Sequence, residues 1–355
     1  MQEGASGVPA SRLVAVFAFG SSNVILWTTA VTVTDSDGAT TLHQTTLRNA
    51  MKQRRIADID VSVVCLGTML LGNPVSRSDS VRMVQWAIDN GITFIDTADM
   101  YEGYDRTIGS PGGVAETILG EALEGRRDRA VVTTKVGNAV GDDSYQGSGL
   151  GRDHMTHQID RSLTRMQTDY VDFFELHKPD PETPLQESIG VMAELIEAGK
   201  IRHWGFSNFE PETIPEMLTI CADNGWPKPV LNQFWYNWLK RDVESEQLPL
   251  CADAGIAATP YRALATGLLS GKYKRGAASP EGSRMSEMSG WMTLETEVIT
   301  DDVFDQLEAF ADEADAAGLS PVQYAVQWLL EQPGVRSVIV GAKRIEQLEV
   351  LLTLG

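Results

Sequence analysis

The strongest constraint on the fold is an alternation that runs from Met51 to the end of the chain. Eight short apolar stretches, rich in β-branched residues, are separated by longer stretches with helical periodicity. A short apolar run predicts a buried strand, and apolar residues three or four apart predict an amphipathic helix. Strands that alternate with helices form a parallel sheet, so we predict an α/β protein. The strand candidates are Ser62–Leu66, Phe94–Thr97, Ala130–Thr134, Val171–His177, Arg202–Gly205, Val230–Phe234, Ile256–Tyr261 and Ser337–Val340.

The helical candidates lie between these strands. Several end at a glycine, which is common just past a helix C-terminus because glycine tolerates the left-handed conformation there. Gly91, Gly199, Gly225 and Gly255 stand at such positions. The predicted helices are Val81–Asn90, Gly113–Leu123, His154–Met166, Pro184–Ala198, Glu212–Asn224, Asp302–Ala317 and Pro321–Glu331.

Two α/β architectures fit this alternation, a closed barrel and an open doubly wound sheet. An open dinucleotide-binding sheet carries a Gly-x-Gly-x-x-Gly motif after its first strand. Here the first strand leads into residues 67–72 (Gly-Thr-Met-Leu-Leu-Gly), which have a different spacing and lack the lysine of a phosphate-binding loop. Eight strand–helix units in about 300 residues suit a (β/α)8 TIM barrel. We therefore predict a single barrel domain over residues 51–355.

The first 50 residues do not continue this pattern. The apolar stretch from Leu13 to Val33 is interrupted by residues 20–23 (Gly-Ser-Ser-Asn), and only Arg12 is basic ahead of it. A spanning helix needs about 20 unbroken apolar residues, and a secretory signal needs a basic start. We expect residues 1–50 to be a loosely attached extension, disordered or upstream of the native start, with a signal or anchor as the alternative. Met51 then opens the barrel with an N-terminal β-hairpin.

The charge balance is strongly acidic. Lys and Arg number 29 against 49 Asp and Glu, which gives a formal net charge of −20. Such a surface repels phosphate backbones and anionic lipids, so we expect no nucleic-acid and no membrane binding. Cys65, Cys221 and Cys251 are too few, and odd in number, for a disulfide framework, which indicates reduced thiols and a cytoplasmic protein.

Four polar residues follow or end consecutive predicted strands. Asp96 and Tyr101 belong to the second strand end, Lys135 to the third and His177 to the fourth. Each alone has an ordinary structural explanation, such as packing, a backbone contact or exposure to solvent. Together they converge at the carboxyl ends of barrel strands, where barrel enzymes place their active sites. The set therefore predicts a catalytic centre. His154 and His157 lack further Cys or His ligands, so we predict no metal.

With these four residues, a series of motifs resembles the aldo-keto reductase family, in its bacterial members and its potassium-channel β subunits. The resemblance runs from about Met51 to Leu348. It implies the barrel fold, an NAD(P)-dependent oxidoreductase, and a catalytic tetrad of Asp96, Tyr101, Lys135 and His177. The motifs are residues 94–98 (Phe-Ile-Asp-Thr-Ala), 134–135 (Thr-Lys), 177–180 (His-Lys-Pro-Asp), 199–202 (Gly-Lys-Ile-Arg), 205–209 (Gly-Phe-Ser-Asn-Phe), 267–273 (Gly-Leu-Leu-Ser-Gly-Lys-Tyr), 332–335 (Gln-Pro-Gly-Val) and 341–342 (Gly-Ala).

The chemistry of carbonyl reduction explains these residue types. The carbon receives a hydride from the nicotinamide cofactor and the oxygen receives a proton. A tyrosine with an ordinary pKa near 10 is a weak donor, and we expect the Lys135 ammonium to lower the pKa of Tyr101. Asp96 would hold that ammonium, and His177 would orient the carbonyl oxygen.

The resemblance also implies a cofactor site, with NADPH as the cofactor and NADH as the alternative. Ser207, Asn208 and Gln233 are expected at the carboxamide, and Tyr261 is expected to stack on the nicotinamide ring. The loops after strands seven and eight commonly bind phosphate in barrels. The further cofactor-binding candidates are Thr68, Met69, Gly267, Leu269, Gly271, Lys272, Gly341, Lys343, Arg344 and Gln347.

The chain departs from the family pattern near its C-terminus. Val350 and Leu351 stand where the family usually has a Glu-Asn pair near the adenine, and Gly355 falls within the expected eighth helix, so the domain is apparently truncated. The leading hypothesis is NADPH-dependent reduction of a small-molecule aldehyde or ketone. The alternatives are an NAD-linked sugar or alcohol dehydrogenase and a non-catalytic nucleotide-sensing regulatory subunit. The sequence indicates neither the substrate nor the oligomeric state.

Overall fold

The computed structural model describes residues 12–16, 28–34, 40–46, 51–142, 145–283 and 300–354. The chain divides into two compact units, Met1–Ala50 and Met51–Gly355. In the first unit, strands β1 (Arg12–Val16), β2 (Thr28–Thr34) and β3 (Thr40–Thr46) form an antiparallel sheet in that order. These strands lie in the segment expected to be a loose extension, and its role stays a prediction.

The second unit contains an eight-stranded parallel sheet. Neighbouring strands of this sheet follow one another along the chain, and the first and last of them lie side by side. The spatial order is Ala257–Ala258, Leu231–Gln233, Ile201–Ser207, Val171–Leu176, Val131–Val136, Phe94–Asp96, Val64–Gly67 and Val338–Gly341. The strands of this unit are β4 (Gln53–Ile56), β5 (Ile59–Ser62), β6 (Val64–Gly67), β7 (Phe94–Asp96), β8 (Val131–Val136), β9 (Val140–Asp142), β10 (Tyr145–Gly147), β11 (Val171–Leu176), β12 (Ile201–Ser207), β13 (Leu231–Gln233), β14 (Ala257–Ala258) and β15 (Val338–Gly341).

Backbone hydrogen bonds join the two outer strands and close the sheet. The amide of Ala258 donates to the carbonyl of Gly334 over 3.0 Å, and the amide of Arg336 donates back to the carbonyl of Ala258 over 3.0 Å. One step further, the amide of Ile339 donates to the carbonyl of Pro260 over 2.9 Å. The predicted (β/α)8 barrel is therefore confirmed, and each of the eight strand candidates overlaps a strand of the sheet.

The helices cover the outside of the barrel, and all seven predicted helices are present with bounds shifted by no more than about one turn. Gly255 ends a further helix with φ 65°. No described helix is both long and apolar enough to cross a membrane. The helices are α1 (Arg77–Asp89), α2 (Val114–Ala122), α3 (Arg152–Met166), α4 (Leu185–Glu197), α5 (Thr213–Asn224), α6 (Gln247–Ala254), α7 (Asp301–Ala316), α8 (Pro321–Leu330) and α9 (Glu346–Glu349).

The antiparallel β4–β5 hairpin closes the amino-terminal end of the barrel. Its apolar residues Ile56, Ile59 and Val61 pack in one buried cluster with residues at the beginnings of the barrel strands, such as Phe94 and Leu231. The cluster fills this end with side chains, so the carboxyl ends of the strands form the open mouth.

Arg54 fastens this hairpin to the outer layer. Its Nη1 donates to the carbonyl of Leu330 over 2.8 Å and to the carbonyl of Val335 over 2.7 Å. We expect Arg54→Ala to lower the free energy of unfolding by about 2 kcal/mol, because hydrogen bonds from a charged donor are lost. Urea denaturation measures this. Arg55→Ala is the matched control, because the contacts of Arg55 with described residues stay within the hairpin, to the carbonyls of Ala57 and Asp58 and the carboxylate of Asp60. Equal losses of stability in both variants would show that the Arg54 hydrogen bonds to Leu330 and Val335 do not hold the hairpin in place.

Candidate active site

The four predicted catalytic residues meet at the mouth of the barrel. Asp96 ends β7, Lys135 lies near the end of β8, and Tyr101 and His177 follow β7 and β11. The Lys135 Nζ lies 2.6 Å from Asp96 Oδ1 and 3.4 Å from the hydroxyl oxygen of Tyr101. The rings of Tyr101 and His177 meet edge to face with centroids 6.0 Å apart. The strand ends therefore bring all four side chains into one cluster.

Lys135 is the centre of this cluster and is fully buried, at 0% exposure. Its ammonium also donates to the carbonyl of Thr97 over 2.8 Å and lies 5.0 Å from the centre of the Tyr101 ring. Burial alone would lower the pKa of Lys135, but the nearby charges, Asp96 first, hold it above its usual value. Lys135 is therefore a permanent cation beside the Tyr101 hydroxyl.

Tyr101 keeps its proton throughout the physiological range. Burial raises the pKa of Tyr101, and the ammonium of Lys135 opposes this increase without offsetting it. The net decrease expected from the sequence is therefore wrong, because removal from water outweighs the attraction of one ammonium that is itself paired with Asp96. Tyr101 is a protonated donor whose conjugate base Lys135 can stabilise.

His177 presents a neutral imidazole to the same space. Burial, followed by the positive charge of Lys135, holds the pKa of His177 well below its usual range. Its Nδ1 is buried and has no hydrogen-bond partner in the part of the chain that the structure describes. A neutral imidazole with an unsatisfied nitrogen beside the Tyr101 ring is suited to contact a ligand oxygen.

A buried carboxyl that the sequence analysis missed belongs to the same cluster. Glu175, in β11, has 0% exposure, and its Oε1 accepts a hydrogen bond from the Thr133 hydroxyl over 2.7 Å. Gln233 Nε2 lies 2.9 Å from Asp96 Oδ1 and 3.3 Å from each Glu175 oxygen. The sequence does contain a signal for this residue. Glu175 interrupts a mostly apolar strand two residues before His177, and residues two apart in a strand point to the same face.

Three of the expected carboxamide and ring residues form a hydrogen-bonded group beside His177. Asn208 Nδ2 donates to Ser207 Oγ and to the carbonyl of His177, each over 2.9 Å. The Tyr261 hydroxyl donates to Asn208 Oδ1 over 2.7 Å. Gln233, the fourth residue expected at the nicotinamide, lies instead beside the carboxyls of Asp96 and Glu175. The cofactor roles of these residues stay predictions.

Thr68 and Met69 follow β6 directly. The amide of Thr68 donates to the carbonyl of Asp96 over 2.9 Å, while its hydroxyl is buried and has no hydrogen-bond partner. Met69 is half-buried and packs against the main core. Thr68 thus lies at the tetrad with a hydroxyl that no residue in the described part of the chain satisfies.

The loop after β14 has an unusual backbone. Arg262, Ala265 and Thr266 have φ values of 55°, 45° and 59°, although none is a glycine. Such conformations cost of order 1–3 kcal/mol each and cluster at functional sites. The four cofactor candidates of this loop are Gly267 with φ 99°, buried Leu269, Gly271 with φ 75° and exposed Lys272.

The loop after β15 carries the other candidates. The Gln347 side chain folds back, and its Oε1 accepts from the amides of Lys343 over 2.7 Å and Arg344 over 3.2 Å. Lys343 Nζ donates to the carbonyl of Gly282 over 3.2 Å, whereas Arg344 is exposed. Gly341 is exposed at the start of the loop. Two cationic side chains therefore stand at one short turn in an acidic chain.

Comparison with known proteins decides the family. The sequence profile of the Aldo/keto reductase family matches residues 63–354. The chain belongs to this family. Within the part that the structure describes, the fold and family expected from the sequence are both confirmed.

Several relatives of this aldo-keto reductase are similar over most of their length. An L-glyceraldehyde 3-phosphate reductase of Escherichia coli (strain K12) is 34% identical over 283 residues, which cover 78% of each chain. A probable voltage-gated potassium channel subunit beta of Arabidopsis thaliana is 32% identical, with 82% of this chain and 86% of that protein covered. The glycerol dehydrogenase of Gluconobacter oxydans is similar in structure, with a TM-score of 0.72, 28% identity, and 86% and 91% of the two chains covered.

The family membership makes this chain an oxidoreductase that reduces carbonyl groups with a nicotinamide cofactor. The residues at the barrel mouth fit such a cofactor. Among the described residues, none pairs with the buried atoms Thr68 Oγ1, His177 Nδ1 and Trp235 Nε1, and buried polar groups are almost always paired in folded proteins. The barrel mouth also contains the amide group of Asn208, the aromatic ring of Tyr261 and the left-handed backbone of the loop after β14. Such a mixture of groups suits a ligand that is polar and partly planar.

Proposed function

We propose that the protein reduces small aldehydes or ketones to alcohols with NADPH, with NADH as the weaker cofactor. The observation that carries this proposal is the Lys135 ammonium, paired with Asp96 at 2.6 Å and within 3.4 Å of the Tyr101 hydroxyl. A protonated phenol beside a permanent cation is a general acid whose charged product is stabilised in place.

Proton transfer to the substrate oxygen is the task of Tyr101. As the phenolate develops, the attraction of Lys135 strengthens, so this interaction favours the transition state over the ground state. Asp96 keeps the ammonium charged and fixed, and the carbonyl of Thr97 limits its remaining freedom. Asp96 and Lys135 lie in strands and Thr97 directly follows β7, so the ammonium reorganises little during the transfer.

His177 orients the substrate in this proposal. Because its imidazole is neutral, a ring N–H can donate to the carbonyl oxygen without delivering a second charge to the site. The hydride for the carbonyl carbon would come from a nicotinamide cofactor when it is bound. Ser207, Asn208 and Tyr261 are proposed to hold the nicotinamide half, and the loops after β14 and β15 the phosphates.

The test is a screen of NADPH oxidation against aldehydes, ketones and sugars, with each product identified. Turnover of at least one carbonyl class supports the proposal. Oxidation of alcohols or polyols with NAD, without carbonyl reduction by NADPH, would favour the dehydrogenase reading. The relative titled glycerol dehydrogenase keeps that alternative open. Nucleotide binding with no turnover in either direction would favour a non-catalytic regulatory subunit, and the Arabidopsis thaliana relative is named a probable voltage-gated potassium channel subunit beta.

Cofactor preference depends on the turn after β15. We expect NADPH to bind more tightly than NADH by about ten- to a hundredfold, because the 2′-phosphate would gain charge-assisted hydrogen bonds from Arg344 and Lys343. Fluorescence titration of both cofactors measures the ratio. In a Lys343→Ala, Arg344→Ala variant, NADPH binding should weaken while NADH binding remains.

The exposed Arg336 provides a matched control for that variant, because Arg336→Ala also removes one surface cation but outside the turn. Equal affinities for the two cofactors in the wild type would contradict the expected preference.

We further propose a cytoplasmic location, supported by three cysteines that are all free and buried.

A further inference from the structure

Glu175 is a buried ionisable group at the tetrad that the proposed mechanism does not use. It lies opposite Lys135 in the register of β11 and β8, and its side chain is fully buried inside the barrel. A carboxyl in such a place is costly when ionised unless it is paired. The role of Glu175 depends on how the Lys135 ammonium is shared among Asp96, Tyr101 and Glu175.

Two carboxyls share the polar groups around Lys135. The ammonium lies 2.6 Å from Asp96 Oδ1, and the Gln233 amide nitrogen bridges that same oxygen to both oxygens of Glu175. The Thr133 hydroxyl completes the contacts of Glu175 at 2.7 Å. The direct ion pair therefore belongs to Asp96, while Glu175 is linked to it through a neutral amide.

We propose that Glu175 is a titratable positioning residue for the general acid. In its neutral form it leaves the Lys135 ammonium to Asp96 and Tyr101; in its ionised form it competes with Tyr101 for that charge. The inference deepens the proposed function and rests on it, because the tetrad must perform the proton transfer. We therefore expect Tyr101 to become a weaker general acid when Glu175 ionises.

The electrostatic surroundings support this reading. Burial raises the pKa of Glu175 to about 8, with Asp96 adding to the increase and Lys135, Thr133 and Gln233 opposing it. An ionised Glu175 in turn raises the pKa of Tyr101. The other titratable neighbour is the buried thiol of Cys65, whose pKa burial holds well above its usual value. Glu175 is thus the group of this cluster that titrates near physiological pH.

The pH profile of kcat for carbonyl reduction tests the proposal. In the wild type, kcat should fall on the alkaline side as Glu175 ionises near pH 8. Glu175→Gln keeps the size and one acceptor oxygen for Thr133 and Gln233, but it cannot ionise. In this variant we expect the alkaline fall of kcat, its alkaline limb, to shift to higher pH by about one unit or more. The KM of the carbonyl substrate should be unchanged. A purely structural role would lower kcat at every pH and leave the limb where it is.

Two neighbouring threonines give a matched pair of variants. Thr133→Val removes the hydroxyl that stabilises ionised Glu175, so its limb should also move upward, by less than in Glu175→Gln. Thr134→Val is the control, because this hydroxyl points the other way and donates to Glu116 over 2.5 Å. An unchanged limb in Glu175→Gln, or equal shifts in both threonine variants, overturns the proposal.

Thermal unfolding gives a readout that does not depend on activity. The pKa of Glu175 in the folded state exceeds that of an exposed glutamate, about 4.3. The stability that the proton contributes is therefore complete below that pH and is lost as the pH rises toward 8. The melting temperature of Glu175→Gln relative to wild type should increase over this range, and a constant difference contradicts the titration. If this difference appears while no carbonyl is reduced, the proposed function fails and the titration stands.

Discussion

Tyr101→Phe is expected to lower kcat for carbonyl reduction by ~10²–10⁴-fold, the usual contribution of a general acid. The substitution removes only the hydroxyl that lies 3.4 Å from Lys135 Nζ and keeps the ring that meets His177. Cofactor affinity should be unchanged, since the hydroxyl acts on the substrate oxygen. Steady-state rates with a reactive aldehyde and fluorescence titration with NADPH measure the two quantities.

Tyr104→Phe is the matched control for this variant. Tyr104 lies three residues further along the same loop, and its buried hydroxyl has no hydrogen-bond partner among the residues that the structure describes. Removing that hydroxyl should cost neither stability nor turnover, because no interaction is lost. Near wild-type turnover in Tyr101→Phe, or the same loss in both variants, would show that Tyr101 is not the proton donor.

The barrel was predictable because its strands are local patterns. A run such as residues 63–66 (Val-Val-Cys-Leu) is apolar enough to indicate burial on both faces, and glycines such as Gly225 mark where a helix ends. The shortest strand of the sheet, β14, has only two residues, Ala257 and Ala258, and backbone hydrogen bonds to both neighbouring strands define its place. The order of strands then puts Asp96 and Lys135 together without any knowledge of side-chain packing.

The role of Gln233 shows where sequence reasoning ends. The sequence places it at a strand end, which suits the expected contact with a carboxamide. In the structure its amide nitrogen lies between Asp96 and Glu175, on strands far away in sequence. Which of two acceptors a side chain meets depends on the closure of the barrel and on the summed charges inside it, and no local pattern encodes either.

The loop after β14 was predictable only in part. Gly267 and Gly271 indicate a turn, and both have positive φ. Arg262, Ala265 and Thr266 also have positive φ, which their residue types disfavour. The surrounding structure therefore imposes these conformations, since local propensity would predict a different backbone.

Lys135→Met is expected to separate stability from activity in the tetrad. Methionine fills a similar volume, but Asp96, at 2% exposure, loses its counter-ion and stays buried. Removing one partner of a buried ion pair costs about 3–5 kcal/mol. Turnover should also fall, by ~10²–10⁴-fold, because nothing then stabilises the Tyr101 phenolate. Urea denaturation and steady-state rates measure the two effects.

The double variant Asp96→Asn, Lys135→Met shows whether charge is the cause. Replacing both partners removes the uncompensated carboxylate, and buried ion pairs exchanged for neutral groups are often close to neutral in stability. Most of the lost stability should therefore return, while turnover stays as low as in Lys135→Met because the ammonium is still missing. A double variant as unstable as the single one would mean that Lys135 stabilises the barrel by packing. Recovered turnover would mean that Tyr101 donates its proton without help from the ammonium.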